Sequence, residues 1–257
     1  MGVTDYRNRD IEKARAADLM ALLPDDCRDS VIDIGARDGW FSVMLAERFD
    51  VVTALDLQKP SIEHERIRCI KGDAINLAFG DGEFELVFCA EVLEHIPTKY
   101  LMKACSELQR ITKKYVLVGV PFKQDIRIGR TRCRTCGKRN PPWGHVNSFD
   151  EEKLKQLFSL CNAKKISFVG ENKQWTNALS ASLIDFAGNP YGTYHPEVHC
   201  IHCGAELIEA GQRNILQKIA TKMAFYVQRA QKVFHSPHPN WIHILFEKRE
   251  AQRSAQA

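Results

Sequence analysis

Four of the nine cysteines in this 257-residue chain stand in two Cys-x-x-Cys-Gly turns, Cys133/Cys136 before Gly137 and Cys200/Cys203 before Gly204. That spacing brings two thiolates to one tetrahedral ion, and the glycine lets the backbone curl so that N–H groups face sulfur. Two such turns predict a structural zinc site of four thiolates. The 63 residues between them exceed common ribbon spacings, so the fold has to assemble the site. A redox pair or chance spacing is the competing account, and His199 and His202 are expected as solvated neighbours. A second group of residues, Glu91, Glu94 and His95, forms Glu-x-x-Glu-His, with His145 further along. If these three open a helix, Glu91 and His95 stand one turn apart on one face. Two chemistries then fit. His95 or His145 can draw a proton from an attacking hydroxyl or amine, since imidazole titrates near neutral pH. Alternatively, Glu91, Glu94, His95 and His145 can hold a divalent ion that lowers the acceptor's pKa.

A third pattern is the glycine turn Asp33-Ile34-Gly35-Ala36-Arg37-Asp38-Gly39. Glycines between a strand and a helix let the backbone approach a ligand with helix N–H groups pointing at it, which suits a nucleotide-like cofactor. A nicotinamide fingerprint needs Gly-x-Gly-x-x-Gly, and counting from Gly35 the later positions hold Arg37 and Trp40. A dinucleotide is therefore excluded. Asp56 follows the glycines by about 20 residues, where a carboxylate can accept both ribose hydroxyls. Asp73, in Lys71-Gly72-Asp73-Ala74, can meet an adenine amino group, although an aspartate at a strand end is often only a turn former.

The elements that must position these groups read as an alternation. Helical spacing runs from Arg9 to Leu23 and stops at Pro24. Apolar runs at Ser30 to Ile34, Val51 to Leu55, Ile67 to Lys71, Phe84 to Cys89 and Tyr115 to Val120 predict strands, with helices at Trp40 to Arg48 and Lys99 to Ile111. Strands apolar along their whole length and alternating with helices predict an α/β fold with a parallel sheet covered on both faces. The stretch Arg127 to Asn147, rich in Arg, Cys, Gly and Pro, breaks the pattern as an insertion. A helix is predicted from Asp150 to Leu160 with Asp150 or Ser148 as N-cap, and strands at Lys165 to Val169 and Trp241 to Phe246. Arg213 to Phe234 is amphipathic and is expected to be a lid or packing helix.

Together these residues resemble the class I S-adenosylmethionine-dependent methyltransferases. The resemblance rests on Asp33-x-Gly35-x-x-x-Gly39, Asp56, Gly72-Asp73-Ala74, the run from Phe84 to Pro97, and Gly144-His145-Val146 followed by Phe149, over about residues 10 to 170. It implies a Rossmann-like seven-stranded methyltransferase sheet whose last two strands, near Ile166 and Ile244, pair antiparallel, with a zinc-ribbon-like insertion. Residues 1–125, 148–170 and 240–250 would form the core, and residues 126–147 and 171–239 the zinc-binding and substrate-cap insertions. The resemblance further implies S-adenosyl-L-methionine as cofactor. Asp33, Gly35 and Gly39 would cradle its methionine part, Asp56 its ribose, and Asp73 with Ala74 its adenine; Ala36, Leu57 and Ala90 complete the set. Many members carry glycine where this chain has Arg37, which bears on the turn's geometry. Glu91, His95 and His145 are the catalytic candidates, and the four-residue constellation resembles those of small-RNA 2'-O-methyltransferases and quinone O-methyltransferases. In many members the same run only shapes the helix beneath the cofactor.

With 44% hydrophobic and 26% charged residues and a net charge of +4, the chain has ordinary globular composition, which excludes disorder as the main state. No apolar run approaches the roughly 20 residues of a membrane-spanning helix, and Met1 to Asp10 lacks a signal-peptide stretch, so a cytoplasmic enzyme is expected. The basic residues Arg127, Arg130, Arg132, Arg134, Lys138 and Arg139 suit an anionic acceptor or a solvated positive face. The expected activity is methylation of an oxygen or nitrogen of a small molecule, such as a saccharide or secondary metabolite. An RNA methyltransferase and a non-catalytic zinc-containing interaction protein are the alternatives.

Overall fold

The computed structural model describes residues 7, 9–173, 175–192, 199–208, 211–231 and 234–249. The chain divides into two compact units: Met1–Phe122, Phe149–Gly170 and Pro239–Ala257 form the first, Lys123–Ser148 and Glu171–His238 the second.

The first unit runs α1 (Asp10–Leu22), β1 (Ser30–Ile34), α2 (Trp40–Ala46), β2 (Val51–Asp56), β3 (Ile67–Lys71), β4 (Phe84–Ala90), α3 (Thr98–Ile111) and β5 (Thr112–Pro121). After the second unit's first segment it resumes with α4 (Glu151–Leu157) and β8 (Cys161–Val169), and it closes on β9 (Trp241–Lys248). One seven-stranded sheet has the order β3-β2-β1-β4-β5-β9-β8. The strands β1 to β5 pair parallel, while β9 runs antiparallel to both β5 and β8. Pairing of Ile166 with Ile244 places the antiparallel couple where the resemblance implies it.

Central β4 is buried at all seven positions, as a strand covered on both faces must be. On one face Leu101, Ala104, Leu108 and Ile111 of α3 cover Val87, Cys89, Val116 and Val118; on the other Leu19, Leu45 and Phe49 cover Val31, Val52 and Phe88. The expected helices and strands recur with ends shifted by a few residues. Asp150 is the N-cap of α4, accepting from Lys153 N at 2.9 Å. That helix ends at Leu157 rather than Leu160, because Phe158 leaves the helical region and Gln109 of α3 captures the chain there. Gln109 Nε2 donates to Leu157 O at 3.1 Å and its Oε1 accepts from Leu160 N at 2.9 Å.

The second unit holds a two-stranded hairpin, β6 (Thr131–Arg132) with β7 (Arg139–Asn140), and two helices, α5 (Ala178–Phe186) and α6 (Ile215–Gln231). Helix α5 was not anticipated. Its start is a reciprocal capping box between Asn177 and Ser180, a pair outside the usual Ser/Thr-x-x-Glu spelling.

Asp73 sits on a segment leading from β3 toward β4, and Arg110 of α3 holds that segment in place. Its guanidinium donates to Leu77 O at 2.9 Å, Phe79 O at 2.7 Å and Asp81 Oδ1 at 2.9 Å, and Glu107 Oε2 accepts from Leu77 N at 2.9 Å. Three charge-assisted bonds to one side chain exceed the contribution of a surface ion pair. We expect Arg110→Ala to cost about 2–3 kcal/mol, seen as a lower denaturant midpoint with unchanged slope.

Candidate cofactor and metal sites

At their carboxyl ends, the parallel strands β1, β2, β3 and β4 each lead to an acidic residue: Asp33, Asp56, Asp73 and Glu91. Asp33 is 3% exposed and accepts from Ser42 Oγ at 2.6 Å. Burial lifts its pKa to about 7, against the pull of the Ser42 hydroxyl and with a small push from Asp56. Asp56 accepts from the backbone N–H of Arg37 at 3.0 Å and of Gln58 at 3.4 Å, closing the end of β2 onto the glycine turn. Asp73 is exposed and accepts from Ile75 N at 3.1 Å. Ala36, Ala74 and Ala90 are buried around this edge, and Leu57 is exposed.

The turn itself needs its glycines. Gly35 (φ +79°) and Gly39 (φ +83°) are left-handed, and a Cβ on them would stand 2.3 Å from Val92 Cγ2 and 2.4 Å from Ile62 Cδ1. Arg37 also takes a left-handed φ of 50°. Its backbone thus follows the path a glycine takes freely, at a cost of about 1–2 kcal/mol. An acidic edge beside a tight, glycine-lined turn can accept hydrogen bonds from hydroxyl or amino groups and suits a ligand carrying positive charge.

The segment after β4 departs from expectation. Residues 91–97 form turns, and α3 starts only at Thr98, so Glu91 and His95 are not a helical i, i+4 pair. Glu91 has φ 58°, which redirects the chain as it leaves the sheet. Its carboxylate lies 3.5 Å from Arg15 Nη1 and takes a hydrogen bond from the Trp241 side chain; burial nevertheless raises its pKa. Glu94 is fully buried, and its two oxygens meet no hydrogen-bond donor of another residue among those described. Burial first, and Glu91 second, push its pKa well up. His95 is exposed. His145 belongs to the second unit, is 8% exposed, and its Nδ1 lies 2.6 Å from Gln124 Oε1.

Within the second unit the two cysteine turns converge. The four Sγ atoms lie within 4.8 Å of one another, with Cys133 to Cys203 at 3.7 Å and Cys136 to Cys200 at 3.6 Å. A tetrahedron with arms of about 2.3 Å has edges of about 3.8 Å, so the spacing fits zinc. The turns share one construction: Cys133 N donates to Lys138 O at 2.9 Å and Cys200 N to Ala205 O at 2.8 Å. Gly137 N and Gly204 N return to the first cysteine of each pair at 2.9 and 2.8 Å. Both glycines are left-handed with open space around them. All nine cysteines are free thiols.

Ubiquinone biosynthesis O-methyltransferase of Idiomarina loihiensis is 33% identical over 88 residues, 30% of this chain and 36% of that enzyme; the match spans about a third of the relative's length. N-methyltransferase NodS of Bradyrhizobium japonicum, solved with S-adenosyl-L-homocysteine, has a TM-score of 0.53 at 15% identity, covering 96% of this chain and 91% of that one. The 1,6-didemethyltoxoflavin-N1-methyltransferase of Burkholderia thailandensis, solved with 1,6-didemethyltoxoflavin and S-adenosylhomocysteine, has a TM-score of 0.56 at 13% identity, covering 96% and 84%. At such identities these two structures speak for the fold. Residues 32–118 match the family model described as a methyltransferase domain. This part of the chain is a methyltransferase domain.

Sequence reasoning overlooked several groups on which the candidate site rests. Ser42 anchors Asp33, Val92 and Ile62 pack against the glycine turn, and Arg15 with Trp241 holds Glu91. Only Arg15 left a trace, as an i, i+3 partner of Glu12 in the first predicted helix.

Because its folded pKa lies above its unfolded value, Asp33 favours the native state while protonated. That contribution is lost as pH rises from about 4 to about 7. In the cofactor-free protein we expect Asp33→Asn to raise Tm at pH 8 by at least about 2 °C, with the gain vanishing toward pH 4 in calorimetric scans.

Proposed function

We propose that this chain transfers the methyl group of S-adenosylmethionine to an oxygen or nitrogen of a small molecule, with a structural zinc in its second unit. The observation that carries this is the acidic edge of Asp33, Asp56 and Asp73 around a left-handed glycine turn inside the methyltransferase domain. Bound S-adenosylmethionine supplies an electrophilic methyl group on a sulfonium. Asp56 with Leu57 would take the ribose, Asp73 with Ala74 the adenine, and Asp33, Gly35, Ala36, Gly39 and Ala90 the methionine part. A small acceptor, a saccharide or secondary metabolite, is supported by the similar proteins, one named for ubiquinone biosynthesis and one for 1,6-didemethyltoxoflavin. Nine free thiols suit a reducing compartment, and we place the enzyme in the cytoplasm.

Methyl transfer to a good nucleophile needs in-line alignment above all, so positioning supplies much of the rate. His95 and His145 are our candidates for taking the acceptor's proton, with Glu91 beside the reacting groups. The two orphaned, buried oxygens of Glu94 favour a second reading, in which Glu91, Glu94 and His95 contribute to a divalent-ion site. Turnover that survives chelation while zinc is retained would sink the ion and leave proton transfer.

The basic run of the second unit argues less for an RNA acceptor than its sequence does. Arg127 pairs with Asp125, Arg130 and Arg139 pair with Asp185, and Arg132 donates to Gly137 O at 3.1 Å. These cations hold the second unit together.

Calorimetric titration tests the cofactor assignment. S-Adenosylmethionine and its demethylated product are expected to bind at micromolar Kd, and Asp56→Ala to weaken both by at least about tenfold. A folded protein that binds neither would make the chain a binding module on a methyltransferase scaffold. Metal analysis of the same sample should find about one zinc per chain, and Cys136→Ser should lose most of it.

A further inference from the structure

Helix α6 has its polarity turned outward. Its buried face toward the rest of the second unit consists of Ala220, Thr221 and Ala224. The opposite face carries the large apolar side chains: Ile215 is 69% exposed, Ile219 46%, Met223 52% and Tyr226 72%, at i, i+4, i+8 and i+11, with Leu216 at 60% beside them. At 3.6 residues per turn these form one continuous stripe along the helix. A packing helix buries its large apolar residues and exposes its small ones; this helix does the reverse, and a stripe of this kind marks an interaction surface.

The border of the stripe identifies the partner. Lys218, Lys222 and Arg229 are exposed along one flank, and the 17 residues of the helix include no aspartate or glutamate. Basic residues edging an apolar face with an aromatic and a thioether within it match the requirements of a helix lying in a bilayer interface. The second unit as a whole has thirteen Lys and Arg against six Asp and Glu. A second copy of the chain fits poorly: a two-fold contact through this face would bring like charges together with no acidic side chain on the helix to offset them. Nucleic acid would use the cations and leave the apolar stripe in water.

We propose that α6 docks the protein onto anionic lipid, with Ile215, Ile219, Met223 and Tyr226 entering the headgroup boundary and Lys218, Lys222 and Arg229 meeting lipid phosphates. This surface is independent of the cofactor and zinc assignments above.

Flotation of the zinc-loaded full chain with vesicles tests it. Vesicles of phosphatidylcholine containing about a third phosphatidylglycerol should carry the protein up at least about tenfold more effectively than phosphatidylcholine alone, and added salt should weaken the binding. The double substitution Ile219→Glu with Met223→Glu should abolish flotation at unchanged Tm, zinc content and S-adenosylmethionine affinity. Lys218→Gln with Lys222→Gln should weaken it by about tenfold or more. Failure of the unmodified protein to float, or flotation undiminished by both double variants, would overturn the proposal. So would sedimentation showing a dimer that the Ile219/Met223 variant dissolves in a protein that ignores vesicles. RNA binding through the same residues without vesicle binding would likewise replace lipid as the partner.

Discussion

The Arg15 guanidinium, 4% exposed, is the buried cation that holds Glu91 at the end of β4 and ties helix α1 to the sheet. It meets Glu12 at 2.9 Å and Glu91 at 3.5 Å, and it lies over the rings of Phe41 and Trp241 at 5.6 and 5.5 Å from their centroids. Those contacts join α1 to the ends of β4 and β9 and to α2 through a single side chain. A charge buried this deeply is tolerated only when paired, and removing one partner of such a pair typically costs about 3–5 kcal/mol. A second polar link fixes the same helix: Asp18 takes hydrogen bonds from Ser167 Oγ and His243 Nδ1, both at 2.6 Å, on β8 and β9. Helix α1 therefore owes its place to buried polar bonds as well as to Leu19 and Leu22.

Much of this architecture was legible in the sequence because its signals are local. A strand buried on both faces, such as Phe84–Ala90, is apolar along its length, and a strand-to-helix turn needing left-handed backbone shows its glycines at 35 and 39. What stayed hidden depends on distant partners. Nothing near Glu91 in the sequence announces a positive φ, which ends the chain's regular path there and keeps Glu-x-x-Glu-His out of a helix. The helical expectation followed from spacing alone, whereas the turn follows from Glu91 being held by Arg15 and Trp241, 76 residues before it and 150 after.

The cysteine site is the reverse case, in which sequence chemistry predicted a contact that no local pattern could place. Two glycine-terminated turns 63 residues apart are each short, self-contained devices, and their hydrogen bonds match pair for pair. Around Cys133 and Cys200 the apolar cluster is small, with Leu207 the one further buried member among the described residues. A core that size contributes little burial energy, so convergence of the four sulfurs within 4.8 Å makes sense if an ion provides the cohesion.

The carboxylates at the edge of the sheet follow the same logic with opposite sign. Asp33 and Glu94 are buried with pKa values raised by desolvation, and their nearest charges in the first unit include Asp56 and Glu91, of like sign. A fold that only maximised stability would place amides or apolar groups at these positions. Retaining acids there costs stability whenever they ionise in the cofactor-free state, and a ligand that brings positive charge to this edge relieves that cost. Binding and stability are thereby coupled: the free energy gained when such a ligand occupies the native state adds directly to the free energy of unfolding. On the proposed function, the ammonium and sulfonium of S-adenosylmethionine would bring that positive charge, and the cost of ionising the acidic edge and the affinity for the cofactor would then have one electrostatic origin.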